Sequence, residues 1–399
     1  MQPILSNGFY RQSIAPLLLV TALAVNLQPE ARAQTPGETT NRPSGLRRPS
    51  IIFIQCDSLG NGDLSCNGQT KFQTPSLDQL AADGIRFTNC QAGGANRSQA
   101  RASLMLGTDL GQLLAGTNAE VRLDANDLTA ATMLRQAGYH TGLIGEWELG
   151  GDGSPGAPWS KGFEEFAGYL DSADAENYYA DYIWRYAPRH SFNLSQSGPE
   201  FNGREPLLPN ADGKRGQYIP DTLTKAALNF IRINQPDQFN HYQPFFLLLD
   251  YATPRPNLAE AGHSGHGLQV PTDAPYSEEP WTQSAKDRAA MITRLDGDIG
   301  KLVDSLKTMG IESNTVVFFS SVSAPQKIGG VDPTFFQISS NDLRIPMIVR
   351  WPGRVPAGQV AGDQWTAADF LPTAAEIGVA KPPKDINGKS ILPFLCGRR

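Results

Sequence analysis

Most of this 399-residue chain mixes polar and apolar positions, but five short runs do not. Ile51, Ile52, Phe53 and Ile54 stand side by side. The same unbroken apolar character returns in TGLIGE (141–146), PFFLLLDY (244–251), NTVVFFSS (314–321) and IPMIVRWP (345–352). A strand with one face in water alternates, whereas a strand covered on both faces does not, so these runs predict buried strands. Between them lie helical patterns. TPSLDQLAADG (74–84) offers Thr74 as N-cap, Pro75 in the first turn and Gly84 as the stop, and TAATMLRQAG (129–138) ends at Gly138 in the same way. Over 284–308, Met291, Leu295, Ile299, Leu302 and Leu306 recur three or four apart, which predicts one apolar face of a long helix. Strands alternating with helices predict an α/β fold with a mixed, mainly parallel central sheet sandwiched by helices. Two stretches rich in Gly, Pro, Asn and aromatics, 150–216 and 252–283, read as long irregular connections.

The N-terminus is a different kind of sequence. Arg11, the apolar run 14–25 and Ala-Arg-Ala at 31–33 have the layout of a secretory signal peptide over 1–33, with an apolar run too short to span a bilayer. Residues 34–49 read as a flexible linker, and 50–399 as one domain. The expected product is exported, to the periplasm or the extracellular space, with no membrane span. A net charge of −6 without a basic run argues against a nucleic-acid partner. Four cysteines, Cys56, Cys66, Cys90 and Cys396, are too few for a disulfide scaffold, although the sequence allows one bridge among the first three.

In open α/β sheets ligands bind beyond the carboxyl ends of the strands, which directs attention to the residues that follow each run. These are Asp57 and Ser58, then Glu146 and Glu148, then Arg255, then Val322 and Ser323. Arg97 and Arg101 open the segment RSQARASLMLG, one helical turn apart. Three arginines and three carboxylates fall in this set.

From about residue 47 onward the chain resembles the sulfatase family of the alkaline-phosphatase superfamily. The resemblance is carried in family order by RRPSIIFIQCDSLGNGDLSCNGQTKFQTPSLDQLAADGIRFTN, ARASLMLG, AGYHTGLIGEWELGG, KGFEEFAGYLDSADAENYYADYIWR, MITRLDGDIGKLVDSLKTMG, IPMIVRWPGRVPAG and DFLPTAAEIGV. It implies the family fold, and it implies that the small C-terminal subdomain of the family is absent from this chain. It also implies a set of functional positions, and nearly all are altered. The formylglycine nucleophile, made from the Cys or Ser of a C/S-x-P-x-R motif, falls at Arg97. The motif's Pro is Gln99, and only its last Arg survives, as Arg101. Of the calcium ligands Asp57 remains, while Ser58, Val322 and Ser323 replace the others. The Lys and His of the family's GKWHLG are Glu146 and Glu148, a further His is Arg255, and no equivalent of the last sulfate-binding Lys is found around 337–344.

Arginine is neither a nucleophile nor a base, and calcium asks for six or more oxygens. Where the family holds a dication among carboxylates, the resemblance sets Arg97, Arg101 and Arg255 against Asp57, Glu146 and Glu148, which implies a metal-free network of ion pairs. The expectation is therefore an exported, catalytically inactive homologue, a pseudoenzyme with neither calcium nor formylglycine, that binds a sulfated or other anionic glycan or pairs with an active sulfatase relative. The alternative is an active sulfuric-ester hydrolase with a non-standard site. Three smaller signals have plain readings. His263 and His266 sit in a glycine-rich loop. Glu146 and Glu148 form a carboxylate pair, but no other feature supports glycoside chemistry. The aromatic cluster 177–186 packs a loop against the sheet, or offers a carbohydrate platform.

Overall fold

The apolar run after Pro49 forms strand β1 (Ser50–Cys56), buried along its whole length, and it lies in the middle of the sheet. The structure is a computed structural model, and it describes residues 48–187, 201–259, 265–325 and 344–397. The signal peptide, the linker up to residue 47, His263 and most of the 337–344 segment lie outside the described residues. Among those residues the other strands are β2 (Ile85–Cys90), β3 (His140–Glu146), β4 (Glu165–Tyr169), β5 (Tyr182–Ala187), β6 (Phe201–Pro206), β7 (Phe245–Asp250), β8 (Thr315–Ser321), β9 (Met347–Arg350) and β10 (Gln359–Trp365). They form one sheet in the order β10-β2-β9-β8-β1-β7-β3-β4-β5-β6. The five central strands, β8 to β4, run parallel, with antiparallel pairings at β8–β9, β2–β9, β4–β5 and β5–β6.

Successive residues of β1 face opposite sides, so one strand feeds two cores. Ile51 and Phe53 pack with Phe246, Phe318, Leu104, Leu134 and Phe370. Three helices supply that side: α2 (Arg97–Leu106), α3 (Ala130–Gln136) and α6 (Phe370–Gly378). Ile52 and Ile54 pack with Leu247, Phe319, Leu77, Leu223 and Ile299 on the other side. That side is covered by α1 (Pro75–Ala82), α4 (Ile219–Asn234) and α5 (Gln283–Thr308). The predicted long helix is α5. Leu295, Ile299, Leu302 and Leu306 join this core, while Met291 joins a small satellite with Tyr178 and Tyr218.

The irregular reading of 150–216 is corrected by the structure, because β4, β5 and β6 fall inside it. These are short or lie toward a sheet edge, with polar and aromatic residues interleaved, so no continuous apolar run marks them. Likewise Tyr182, Trp184 and Tyr186 of the aromatic cluster belong to β5 rather than to a loop. All four cysteines are unpaired, which removes the bridge the sequence allowed. Arg48, placed at the end of the linker, already belongs to the domain: its guanidinium lies over the Tyr139 ring at 5.7 Å. No helix among the described residues is long and apolar enough to cross a membrane.

Candidate functional site

The carboxyl ends of β1, β3, β7 and β8 deliver the predicted residues to one place. β1 ends at Cys56 and the chain turns sharply, with Asp57 fully buried and Ser58 at φ +63°. β3 ends at Glu146, and Glu148 follows at φ +62°. A left-handed conformation at two non-glycine residues is uncommon and is stored where the surroundings enforce it. At Gly145 the backbone has φ +117°, and a Cβ there would meet the Asp250 carbonyl oxygen at 1.8 Å. Glycine thus lets β3 close on β7 where Glu146 and Asp250 end their strands.

Helix α2 enters from the other side. Asn96 caps it by accepting from the Gln99 amide at 3.0 Å. Gln99, which stands where the resemblance puts a proline, accepts from the Ala95 amide at 2.9 Å and donates to the Ala119 carbonyl at 3.0 Å, pinning the loops on either side. Arg97 and Arg101 then project from successive turns toward the strand ends.

Arg101 is 3 % exposed and spends its guanidinium on three carboxylates. Nε and Nη2 donate to Asp250 at 2.8 and 3.1 Å, Nη1 to Glu148 at 2.6 Å, and Nη2 also to Glu146 at 2.8 Å. Arg255 Nη1 bridges Asp57 Oδ2 at 2.5 Å and Glu146 Oε2 at 2.9 Å. Its loop is fixed by Tyr178, whose hydroxyl donates to the carbonyls of Ala252 and Arg255 at 3.0 and 2.6 Å. Arg97 is held more loosely: Nε lies 3.7 Å from Asp57 and 4.0 Å from Glu148, and Nη2 lies 3.5 Å from Glu176. The hydroxyls of Ser323 and Ser58 donate to Asp57 Oδ1 at 2.8 and 3.3 Å. Val322 is buried beside them and supplies no side-chain oxygen.

Every predicted site residue is therefore here, but the charge count is not the expected three against three. Asp250 and Glu176 join Asp57, Glu146 and Glu148, so five carboxylates share three arginines. Asp250 was hidden because it closes the apolar run of β7 and reads as part of the strand. Glu176 sits in the 150–216 stretch, and no local pattern marks it. Burial and the neighbouring Glu146 and Asp57 outweigh Arg101, which is shared three ways, and push the Asp250 carboxyl up to about 7. Burial also raises Glu148, against the pull of Arg101. Asp57 goes the other way: burial would raise it, but Arg255, Arg101 and Arg97 together bring it below the usual range.

These residues do not fit calcium. Both Asp57 oxygens are engaged, and Arg255 Nη1 lies between Asp57 and Glu146. Among the described residues no group of three or more His, Cys, Asp or Glu is arranged to hold a metal ion. Above the network a cleft of about 620 Å³ opens, lined by Arg97, Arg255, Glu148, Glu176, Glu120 and several small polar side chains. Its size suits a small ligand. Of the two histidines singled out earlier, His266 lies 3.5 Å from Asp287 on α5, away from this cleft.

The sulfatase family model matches residues 49–378. An N-acetylgalactosamine-6-O-sulfatase of Bacteroides thetaiotaomicron is 28% identical, covering 77% of this chain and 68% of that protein. An arylsulfatase of Hemicentrotus pulcherrimus is 28% identical over 88% of this chain and 62% of its own length. For the N-acetylgalactosamine-6-sulfatase of Mus musculus the figures are 27%, 87% and 66%. The chain thus spans roughly two thirds of the length of these relatives. Among solved structures, Ps i-CgsB in complex with k-i-k-neocarrahexaose matches with a TM-score of 0.69 at 25% identity, over 88% of this chain and 77% of that one. BT4656 in complex with its substrate D-glucosamine-2-N,6-O-disulfate matches with a TM-score of 0.62 at 22% identity, over 88% and 81%, which bears on the fold alone.

Proposed function

The chain belongs to the sulfatase family, and from that premise we propose that it is a member that binds a glycan without hydrolysing a sulfate ester. The observation that carries this is Arg97. It heads α2 at the position the resemblance gives to the nucleophile, and it faces Asp57, Glu148 and Glu176. A guanidinium can neither attack a sulfur centre nor take a proton at neutral pH. Where the resemblance asks for calcium, the positive charge comes from Arg255 between Asp57 and Glu146. Where it asks for Lys and His, Glu146 and Glu148 lie bound to Arg101. The framework of strands and helices that would carry the chemistry is intact, while the groups that would perform it are exchanged.

The glycan part of the reading rests on the cleft and on the relatives. The cleft lies at the strand ends, where ligands of open α/β sheets bind. Ps i-CgsB is described in complex with k-i-k-neocarrahexaose, and a glycan is the ligand class that this neighbour suggests. The N-terminal charge and apolar pattern supports export to the periplasm or beyond.

The test is hydrolysis of an aryl sulfate by the purified chain, with and without calcium, beside the Asp57→Asn and Arg101→Ala variants. We expect no turnover above the buffer blank in any sample. Calcium-dependent turnover that is lost in either variant would overturn the reading.

A further inference from the structure

The cleft carries more negative charge than its arginines neutralise, and the surplus selects a ligand. Asp57, Glu146, Glu148 and Glu176 are all at most 8 % exposed and share Arg97, Arg101 and Arg255, while Asp250, whose carboxyl is raised to about 7, also takes part of Arg101 and is left out of the count in mild acid. Glu148 and Glu176 reach the cleft wall, where Glu120 joins them. Arg101 is not part of that wall, and Arg255 is 2 % exposed with Nη1 already taken by two carboxylates. A sulfate entering the cleft meets Glu148 and Glu176, a Glu120 that lies 3.3 Å from the Arg122 guanidinium, and one partly exposed guanidinium, that of Arg97. Like charge at close range in a partly desolvated cleft is a strong ground for rejection.

A second observation concerns donors. Nε of Arg255 and Nε of Arg97 are both buried without a hydrogen-bond acceptor. Their nearest carboxylates stand off at 3.5 Å for Arg255 and 3.7 Å for Arg97, within reach of charge but too far for a good hydrogen bond. Arg288 Nε and Arg350 Nη1 are buried without acceptors too, but they line no wall of the cleft, whereas Arg97 and Arg255 do, and a buried donor without an acceptor is costly. The site therefore asks for two things at once. It wants neutral oxygen acceptors beside the arginines and a positive donor beside Glu148 and Glu176.

A polyhydroxylated ring that carries an ammonium supplies both. We propose that the cleft binds an amino sugar whose amine is free and protonated, in preference to an acetylated or sulfated one. This rests on the reading of the cleft as a binding site without hydrolysis, and it names the ligand class for that site. The hydroxyls accept from the arginine side chains and exchange hydrogen bonds with Asn96, Ser98 and Asn118, which also line the cleft. The ammonium sits against Glu176 and Glu148, offsetting the surplus charge. No covalent step is involved.

The experiment is titration calorimetry on the purified full chain at low ionic strength and mildly acid pH, where the amine is charged. Three matched tetrasaccharides of β-1,4-linked glucosamine serve as probes: fully deacetylated, fully N-acetylated, and N-acetylated with 6-O-sulfate. The deacetylated probe should bind about tenfold or more tighter than the acetylated one, the equivalent of one added ion pair. The sulfated probe should be the weakest. Glu176→Gln should shrink the preference for the free amine severalfold, with an unchanged melting temperature showing that the fold persists. Glu120→Gln, at an exposed position, gives a second reading of the same trend. Equal affinity for all three probes, tightest binding of the sulfated probe, or binding of none would overturn the inference. Sulfate released from the third probe would instead overturn the reading of the site as non-hydrolytic, so the two failures are told apart.

Discussion

Two buried arginines, Arg101 and Arg288, sit close to the same strand ends and do different things. Arg288 projects from α5 and is 1 % exposed. Its Nη2 meets a single carboxylate, Asp63, at 2.8 Å and also the Ser58 carbonyl at 2.8 Å, its Nη1 reaches the Pro254 carbonyl at 3.5 Å, and its Nε is buried without an acceptor. It ties together the loops that follow β1 and β7, which carry Asp57 and Arg255. Its charge is matched one to one, and it lines no wall of the cleft. Arg101 meets three carboxylates and no carbonyl, within a cluster that has too many carboxylates and opens on the cleft. A matched, enclosed pair is what holding a loop in place requires. A surplus of buried charge is costly to maintain and marks a place where something else is meant to arrive.

The comparison is broken most directly by removing each guanidinium. Arg288→Met strands one carboxylate and should cost about 3–5 kcal/mol of unfolding free energy, the usual penalty for breaking a buried pair. Arg101→Met strands three and should cost at least as much as the top of that range of about 5 kcal/mol at pH 8. The Arg101 loss should shrink in acid as the abandoned carboxylates take up protons, by more than the Arg288 loss does. Denaturant unfolding of both variants across pH checks this, and equal losses with equal pH dependence would erase the distinction.

A smaller effect follows from Asp250. Its carboxyl is raised to about 7 in the fold, against about 3.9 in an unfolded chain. The folded state then holds a proton that the unfolded state has released. The stability from that proton is full below about pH 4 and is lost as pH rises through about 7, by at most about 4 kcal/mol. Asp57, held low, contributes the opposite slope, lost only as pH falls below the ordinary carboxylate range. Asp250→Asn should flatten the decline between pH 4 and 8 and should equal or exceed the native chain in stability at pH 8. A variant that keeps the native slope would assign the extra proton to another member of the cluster, with Glu148, also raised by burial, as the first candidate.

The two regions were not equally legible in the sequence. The strands that support both arginines announced themselves as unbroken apolar runs, since burial on two faces leaves no polar position. Arg97, Arg101, Glu146 and Glu148 were found because they lie just past such runs or carry a helix-start pattern. Asp250 was missed for the same physical reason that β7 was found: a run of Phe and Leu makes its last residue look like more strand. Glu176 and Arg288 gave no local sign at all. One lies in a stretch whose edge strands alternate polar and aromatic residues. The other is a single arginine on a long amphipathic helix, and only the packing of α5 over the loops after β1 and β7 gives it meaning.

The smallest expected effect is that of calcium, and it is informative because it should be nearly nothing. A site with Kd near 10 µM would add about 2.7 kcal/mol at 1 mM calcium, enough to raise the melting temperature by several degrees. Such a site needs six or more oxygens around the ion. Here Asp57 Oδ1 is taken by Ser323 and Ser58, Oδ2 by Arg255, and Val322 offers none. Arg255 would have to leave two carboxylates for an ion to enter between them, exchanging one compensating charge for another with little net gain. A melting curve with and without 1 mM calcium should therefore superpose to within about one degree, well short of the shift that linkage gives a tight site. A shift of several degrees would show that the arginines yield to a dication, and the Arg101 cluster would then be a metal site held shut by its own side chains rather than a cleft whose surplus charge awaits an organic cation.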